Sequence, residues 1–182
     1  MAFSDWADER IGRFYGYWSG LRQGAAVPSV RVFDPIDIAP LLQYVWLARW
    51  DEEKQDFVYR LAGESVLAAN RRQMRHQSLA EIYGDKTASR LRSRYQRICS
   101  TPLLFHSSGS VYDHLNRFGN GERLVLPLTD EAGRCTVVVG CTIYAVNHRA
   151  IDQATNTKIL LPPTNAFFSL DGEPMQGIKE AC

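Results

Sequence analysis

Thr136-Val-Val-Val-Gly-Cys-Thr-Ile-Tyr144 is the most strongly β-forming stretch of the chain. Its valines, threonines, isoleucine and tyrosine carry branched or aromatic side chains that suit a pleated surface. Just before it, Asp130-Glu-Ala-Gly133 has the composition of a turn, and Leu124-Val-Leu-Pro-Leu128 precedes that turn. Residues 122–129 and 134–146 therefore read as a hairpin. A further strand is expected over 103–112, directly after Pro102.

Upstream the pattern becomes helical. Glu64–Ala69 and Ser78–Tyr83 are short, and Asp85 is expected to cap a longer helix whose buried face is Ala88, Leu91, Tyr95 and Ile98. Earlier still, Tyr44-Val-Trp-Leu-Ala-Arg-Trp50 and Phe57-Val-Tyr-Arg-Leu-Ala62 flank the polar turn 51–56, and Gly63 stands at the exit of this hairpin. Asp34-Pro35 reads as an N-cap followed by proline at the first helical position, and Pro40 ends or restarts that short piece. The first element is an amphipathic helix over 4–22, with Ala7, Ile11, Phe14, Trp18 and Leu21 in one seam and Ser4 as its N-cap. Gly12, Gly16 and Gly20 line another stripe, which reads either as a close backbone approach or as a weak helix. Beyond His148 the periodicity fades, and the islands Ile159–Leu161 and Ala166–Leu170 are expected to dock locally within an irregular tail.

The order is thus a helix, two strands, several short helices and three strands. It resembles the PAS sensor fold, an α+β arrangement in which short helices cover one face of a five-stranded antiparallel sheet. The local sequence carries the resemblance further, to a family of small stand-alone bacterial PAS-like proteins. The matching stretches are Tyr17-Trp-Ser-Gly-Leu-Arg-Gln-Gly24, Pro28, Asp34-Pro35 before Leu41-Leu42, Tyr59-Arg-Leu-Ala-Gly63 and Leu124-Val-Leu-Pro-Leu128. The expected division is an N-terminal docking or dimerisation helix (1–30), a PAS-like domain (31–148) and the tail (149–182). The family continues after Arg-Leu-Ala-Gly with Gly-Arg-acidic-x-Thr-Gly. Here the segment is Asn70-Arg-Arg-Gln-Met-Arg-His-Gln77, which has neither glycine. It is similar to the flavin-binding motif of light-sensing PAS domains but holds no cysteine for a photoadduct, so a light sensor is excluded.

Composition bounds the function. The 182 residues are 45% hydrophobic and 23% charged with net charge +1, enough for one self-sufficient core and without the basic excess of a general nucleic-acid binder. No apolar run reaches the ~20 residues that span a bilayer. The start, Met1-Ala-Phe-Ser-Asp5, lacks the basic region of a secretory signal, so a cytoplasmic location is expected. Cys99, Cys135, Cys141 and Cys182 form no CxxC pair, and six residues of strand put ~20 Å between Cys135 and Cys141, too far for a disulfide. Reduced thiols are the expectation.

Candidate ligand contacts are Trp46, Tyr59, Arg60, Phe105 and Tyr144, which lie on the expected strands. Core packing accounts for aromatic residues equally well, and Arg60 reads as either a structural ion pair or a contact to an anionic ligand. Ile11, Phe14, Trp18 and Leu21 are the candidate interface. His76, His106, His114 and His148 are isolated, and beyond the histidines themselves nothing supports haem ligation. Seven arginines between Arg71 and Arg97 make a basic region, read as a solvated face or as a surface for an anionic partner. His106-Ser-Ser-Gly-Ser110 and Asp113-His114 contain hydrolase letters without a nucleophile elbow. The reading is a non-catalytic sensory or protein-interaction module, homodimeric, acting on a signalling protein partner, with a small ligand between sheet and helices and no cofactor specified. The alternatives are a nucleic-acid-associated regulator and, more remotely, a small hydrolase.

Overall fold

A computed structural model of the chain describes residues 8–110, 119–146 and 164–175. An antiparallel sheet is built from β1 (Val45–Asp51), β2 (Asp56–Ala62), β3 (Leu104–Ser110), β4 (Gly119–Thr129), β5 (Cys135–Val146) and β6 (Thr164–Phe168). Their spatial order is β2-β1-β5-β4-β3-β6. The long β4–β5 hairpin predicted from the valine run lies at the centre, flanked by β1 and β3. Five strands were expected and six are found. The extra one, β6, comes from the tail, where Phe167 and Phe168 bury on opposite faces while the backbone pairs with β3. The apolar island 166–170 is thus largely strand, because pairing satisfies backbone groups that burial would otherwise leave without partners.

Helices cover both faces of the sheet. On one face lies α1 (Glu9–Gly20), with Ile11, Phe14 and Trp18 against Val45, Leu47, Leu124, Leu126, Leu128, Val137 and Val139. On the other lie α2 (Glu64–Asn70), α3 (Leu79–Tyr83) and α4 (Asp85–Ser100), packed on Trp46, Ala48, Phe57, Tyr59, Phe105, Val125 and Val138. A sheet buried on both sides explains why several strands are apolar at successive positions.

Local chemistry sets the ends. α1 is shorter than predicted because Asp8 caps it, its carboxylate accepting from the Arg10 N–H at 3.0 Å; Ser4 lies outside the described residues. Ser78 and Glu81 form a reciprocal capping box on α3. The N-cap of α4 is Gly84, at φ 74°, and Asp85 is its first helical residue. Asp34 caps a 3-10 segment, Pro35–Tyr44, that kinks at Ile38 ahead of Pro40.

Two bulges re-aim side chains. Between β1 and β2 the pairing passes from Leu47–Leu61 to Ala48–Tyr59, leaving Arg60 unmatched. Between β4 and β5 it passes from Leu128–Val137 to Thr129–Cys135, leaving Thr136 unmatched and turning Cys135 to the α4 side. Among the described residues no helix is long and apolar enough to cross a membrane.

Candidate functional site

The helix-side layer is organised around Trp46. Across the β1–β5 pairing its partner is Gly140, and a Cβ there would overlap the indole at Cζ2 and Cε2. Only glycine lets the ring lie on the strand at this point. The indole Nε1 donates to Thr142 Oγ1 at 3.0 Å, and the same hydroxyl accepts from Arg123 Nε at 3.1 Å. Tyr95 of α4 stacks on Trp46 with centroids 5.5 Å apart, and Tyr59 meets it edge-on at 5.7 Å. Phe57 closes the group with an edge contact to Tyr95 at 5.4 Å.

Polar atoms in this layer are mostly paired. Tyr59 Oη lies 3.3 Å from Tyr83 Oη. Burial holds the Tyr59 hydroxyl well above the ordinary phenol range. Burial also raises Tyr95, although the nearby Arg123 and Arg94 cations pull it back. The α2–α3 connection runs beside β2, with Tyr59 N–H donating to Gln77 O and His76 N–H donating to Tyr59 O. Two side-chain acceptors, Asn70 Oδ1 and Gln77 Oε1, are buried there without a hydrogen-bond partner. In the same connection Arg71 and His76 take left-handed φ of 52° and 67°. They stand five residues apart, the spacing of the two glycines in the Gly-Arg-acidic-x-Thr-Gly pattern, so the loop makes glycine-type turns with other residues.

Of the predicted ligand contacts, Trp46, Tyr59, Phe105 and Tyr144 all fall on the helix side. Trp46 and Tyr59 touch directly. Phe105 lies further along, under the Arg94 guanidinium at 4.2 Å and beside Phe167 at 5.1 Å. Tyr144 is half-buried and donates to the Ser65 carbonyl of α2 at 2.6 Å. Arg60 is not brought to them. At its bulge it is 41% exposed and reaches Asp51 at 3.5 Å and His76 Nδ1 at 3.4 Å. Gly63 adopts an ordinary extended conformation, φ −70°, and its role is close approach, since a Cβ would run into the backbone of Leu42 and Gln43.

The candidate interface residues Ile11, Phe14 and Trp18 have no exposed surface, and Trp18 Nε1 donates to Pro127 O at 2.8 Å. Leu21 sits half-buried at the margin. A Cβ at Gly16 or Gly20 would meet nothing, so that part of the glycine stripe approaches no backbone within the chain. Much of the arginine-rich region is committed internally. Arg92 Nε pairs with the buried Asp56 at 3.0 Å, Arg94 and Arg97 lie over Phe105 and Phe167, and Arg72 donates to the Glu81 and Ile82 carbonyls.

Sequence reading missed a buried polar cluster on the α1 side. His106 Nε2 lies 2.7 Å from Glu122 Oε1, and the other Glu122 oxygen accepts from the Asp8 N–H at 2.8 Å, where α1 begins. Both side chains are about as buried as the apolar core. His106 is therefore not isolated, and only the β3–β4 register reveals it, because the two residues are far apart in sequence. Nearby, Ser108 Oγ lies 2.7 Å from Thr164 Oγ1 of β6. His114 and His148 fall outside the described residues. Among the described residues no group of three or more His, Cys, Asp or Glu could hold a metal ion.

A comparison with curated proteins finds no match. The family model described as a PAS domain matches residues 8–143, from the cap of α1 almost to the end of β5. That span takes in both layers described above, and the chain belongs to the PAS domain family.

Proposed function

We propose that this chain is a non-catalytic sensory and interaction module of bacterial signalling that passes its signal through protein contacts. The observation that carries the reading is the filled helix-side core. Trp46, Tyr59, Phe57 and Tyr95 occupy one another's contact surfaces, and Gly140, Thr142 and Arg123 fix the indole from below. A core held by its own aromatic rings suits a domain that responds by changing the packing of its helices. The partners in this reading are a second copy of the chain and a cytoplasmic signalling protein, met by surfaces other than Ile11, Phe14 and Trp18. Size-exclusion chromatography with light scattering tests the first: a dimer is expected at micromolar concentration, and a strict monomer at all concentrations rejects it.

A second reading, a small ligand between sheet and helices, is favoured by one observation. Asn70 Oδ1 and Gln77 Oε1 are buried acceptors without partners, and such groups cost stability unless something donates to them. A ligand with hydrogen-bond donors, lying near Tyr59 and the α2–α3 connection, fits that demand. Native mass spectrometry of freshly purified protein, followed by denaturation, reads it directly. A released small molecule supports the ligand; protein of bare chain mass leaves only the interaction module.

A further inference from the structure

Cys99 is in the last turn of α4 and Cys135 is the first residue of β5. They are 36 positions apart, and the sequence offers no reason to connect them. The Thr136 bulge does so, by turning Cys135 away from the α1-side core, where Val137 and Val139 point, toward α4. Cys99 Sγ reaches β5, 3.8 Å from the Val137 carbonyl, and its thiol shares a hydrogen bond with that of Cys135. Both are only partly buried, whereas Cys141 is fully enclosed on the opposite face. The exposed Arg134 precedes Cys135, at the end of the hairpin turn.

We propose that Cys99 and Cys135 are a dithiol site that hydrogen peroxide converts to a disulfide, pinning the end of α4 to the start of β5. Cys135 is the attacking residue. Its thiolate displaces hydroxide from peroxide, breaking the O–O bond and leaving a sulfenic acid, and the hydroxide takes up a proton to become water. Cys99 then loses its proton and attacks that sulfur; the S–S bond forms as the sulfenic oxygen leaves as a second water. Two thiols lose two electrons and two protons in all, and one peroxide becomes two waters. The order follows from the hydrogen bond. With Cys99 donating, the Cys135 thiolate is favoured and its ionisation lies below the ordinary thiol range, while Cys99 is raised by the same bond and by burial.

The test uses the full chain. Purified reduced protein is exposed to hydrogen peroxide, alkylated and digested without reductant. Cys135 and Cys141 share one tryptic peptide, so fragmentation between them assigns the bridge. The expected result is an intrachain Cys99–Cys135 link that dithiothreitol reverses, with Cys141 still reduced. In Cys99→Ser the sulfenic acid is expected to be trapped by dimedone at Cys135, and in Cys135→Ser no adduct at Cys99. Complete alkylation of both residues after peroxide, or a bridge to any other cysteine, overturns the proposal. The wild-type mapping decides this by itself if a variant fails to fold.

Discussion

The indole of Trp46 lies against the backbone of Gly140, its partner across the β1–β5 pairing, where any Cβ would overlap the ring. The contact couples the centre of the sheet to α4, since the other side of the same indole stacks on Tyr95. Gly140→Ala should therefore displace Trp46 and disturb Tyr95 with it, at a cost of ~1–3 kcal/mol for an overfilled core. Urea titration measures the cost. Combining Gly140→Ala with Trp46→Leu should recover part of it, and simple additivity of the two losses would show that the indole does not bear on Gly140.

Trp18 links α1 to β4 through burial and through its Nε1 bond to Pro127 O. Trp18→Ala is expected to cost ~3–5 kcal/mol, the range for truncating a large buried aromatic. Thermal unfolding reads this. An unchanged midpoint would mean that α1 does not depend on its seam for docking.

Glu122 holds two groups at once, His106 Nε2 and the Asp8 N–H that begins α1. Glu122→Ala should destabilise by ~1–3 kcal/mol, since it strips partners from buried polar groups. Hydrogen exchange should show the loss concentrated in the first turn of α1 and in β3. Uniform loss of protection across the sheet would argue against a local anchor.

Glu81 closes the capping box of α3 and meets Lys54 at 2.9 Å. The Ser78 N–H and the Lys54 ammonium hold its carboxyl down to about 2, from 4.5 for the free group. A depressed carboxyl contributes stability above its unfolded value, and loses it as pH falls through the folded one. The advantage of wild type over Glu81→Gln should thus be level above pH 4.5 and shrink as pH drops toward 2. Parallel melting curves across that acid range would count against the charge-dependent cap.

Arg71 ends α2 in the left-handed conformation, at φ 52°. Helices commonly place glycine at such a position because it carries no Cβ penalty. Arg71→Gly is expected to raise stability by about 1 kcal/mol or slightly less, the left-handed penalty offset in part by the greater freedom of the unfolded glycine. Guanidinium titration checks the sign, and a clear loss would mean that the Arg71 side chain contributes more than its backbone costs.

Residue order determined the arrangement of elements. The valine run at 136–144, the two hairpin turns and the 3.6-residue seams of α1 and α4 are local signals, and strands β1 to β5 and helices α1 to α4 appear close to where they predict. Capping chemistry at Asp34 and Ser78 was equally legible, because it acts within a few residues. Register and face were not. Whether Trp46 meets Gly140, whether Arg60 points away from the aromatic layer and whether Cys135 turns toward Cys99 all depend on strand pairing and on single-residue bulges, and one residue of slip reverses every side chain of a strand. β6 and the His106–Glu122 pair escaped for a related reason. Their partners are distant in the chain, and only the closed sheet brings them within hydrogen-bonding distance.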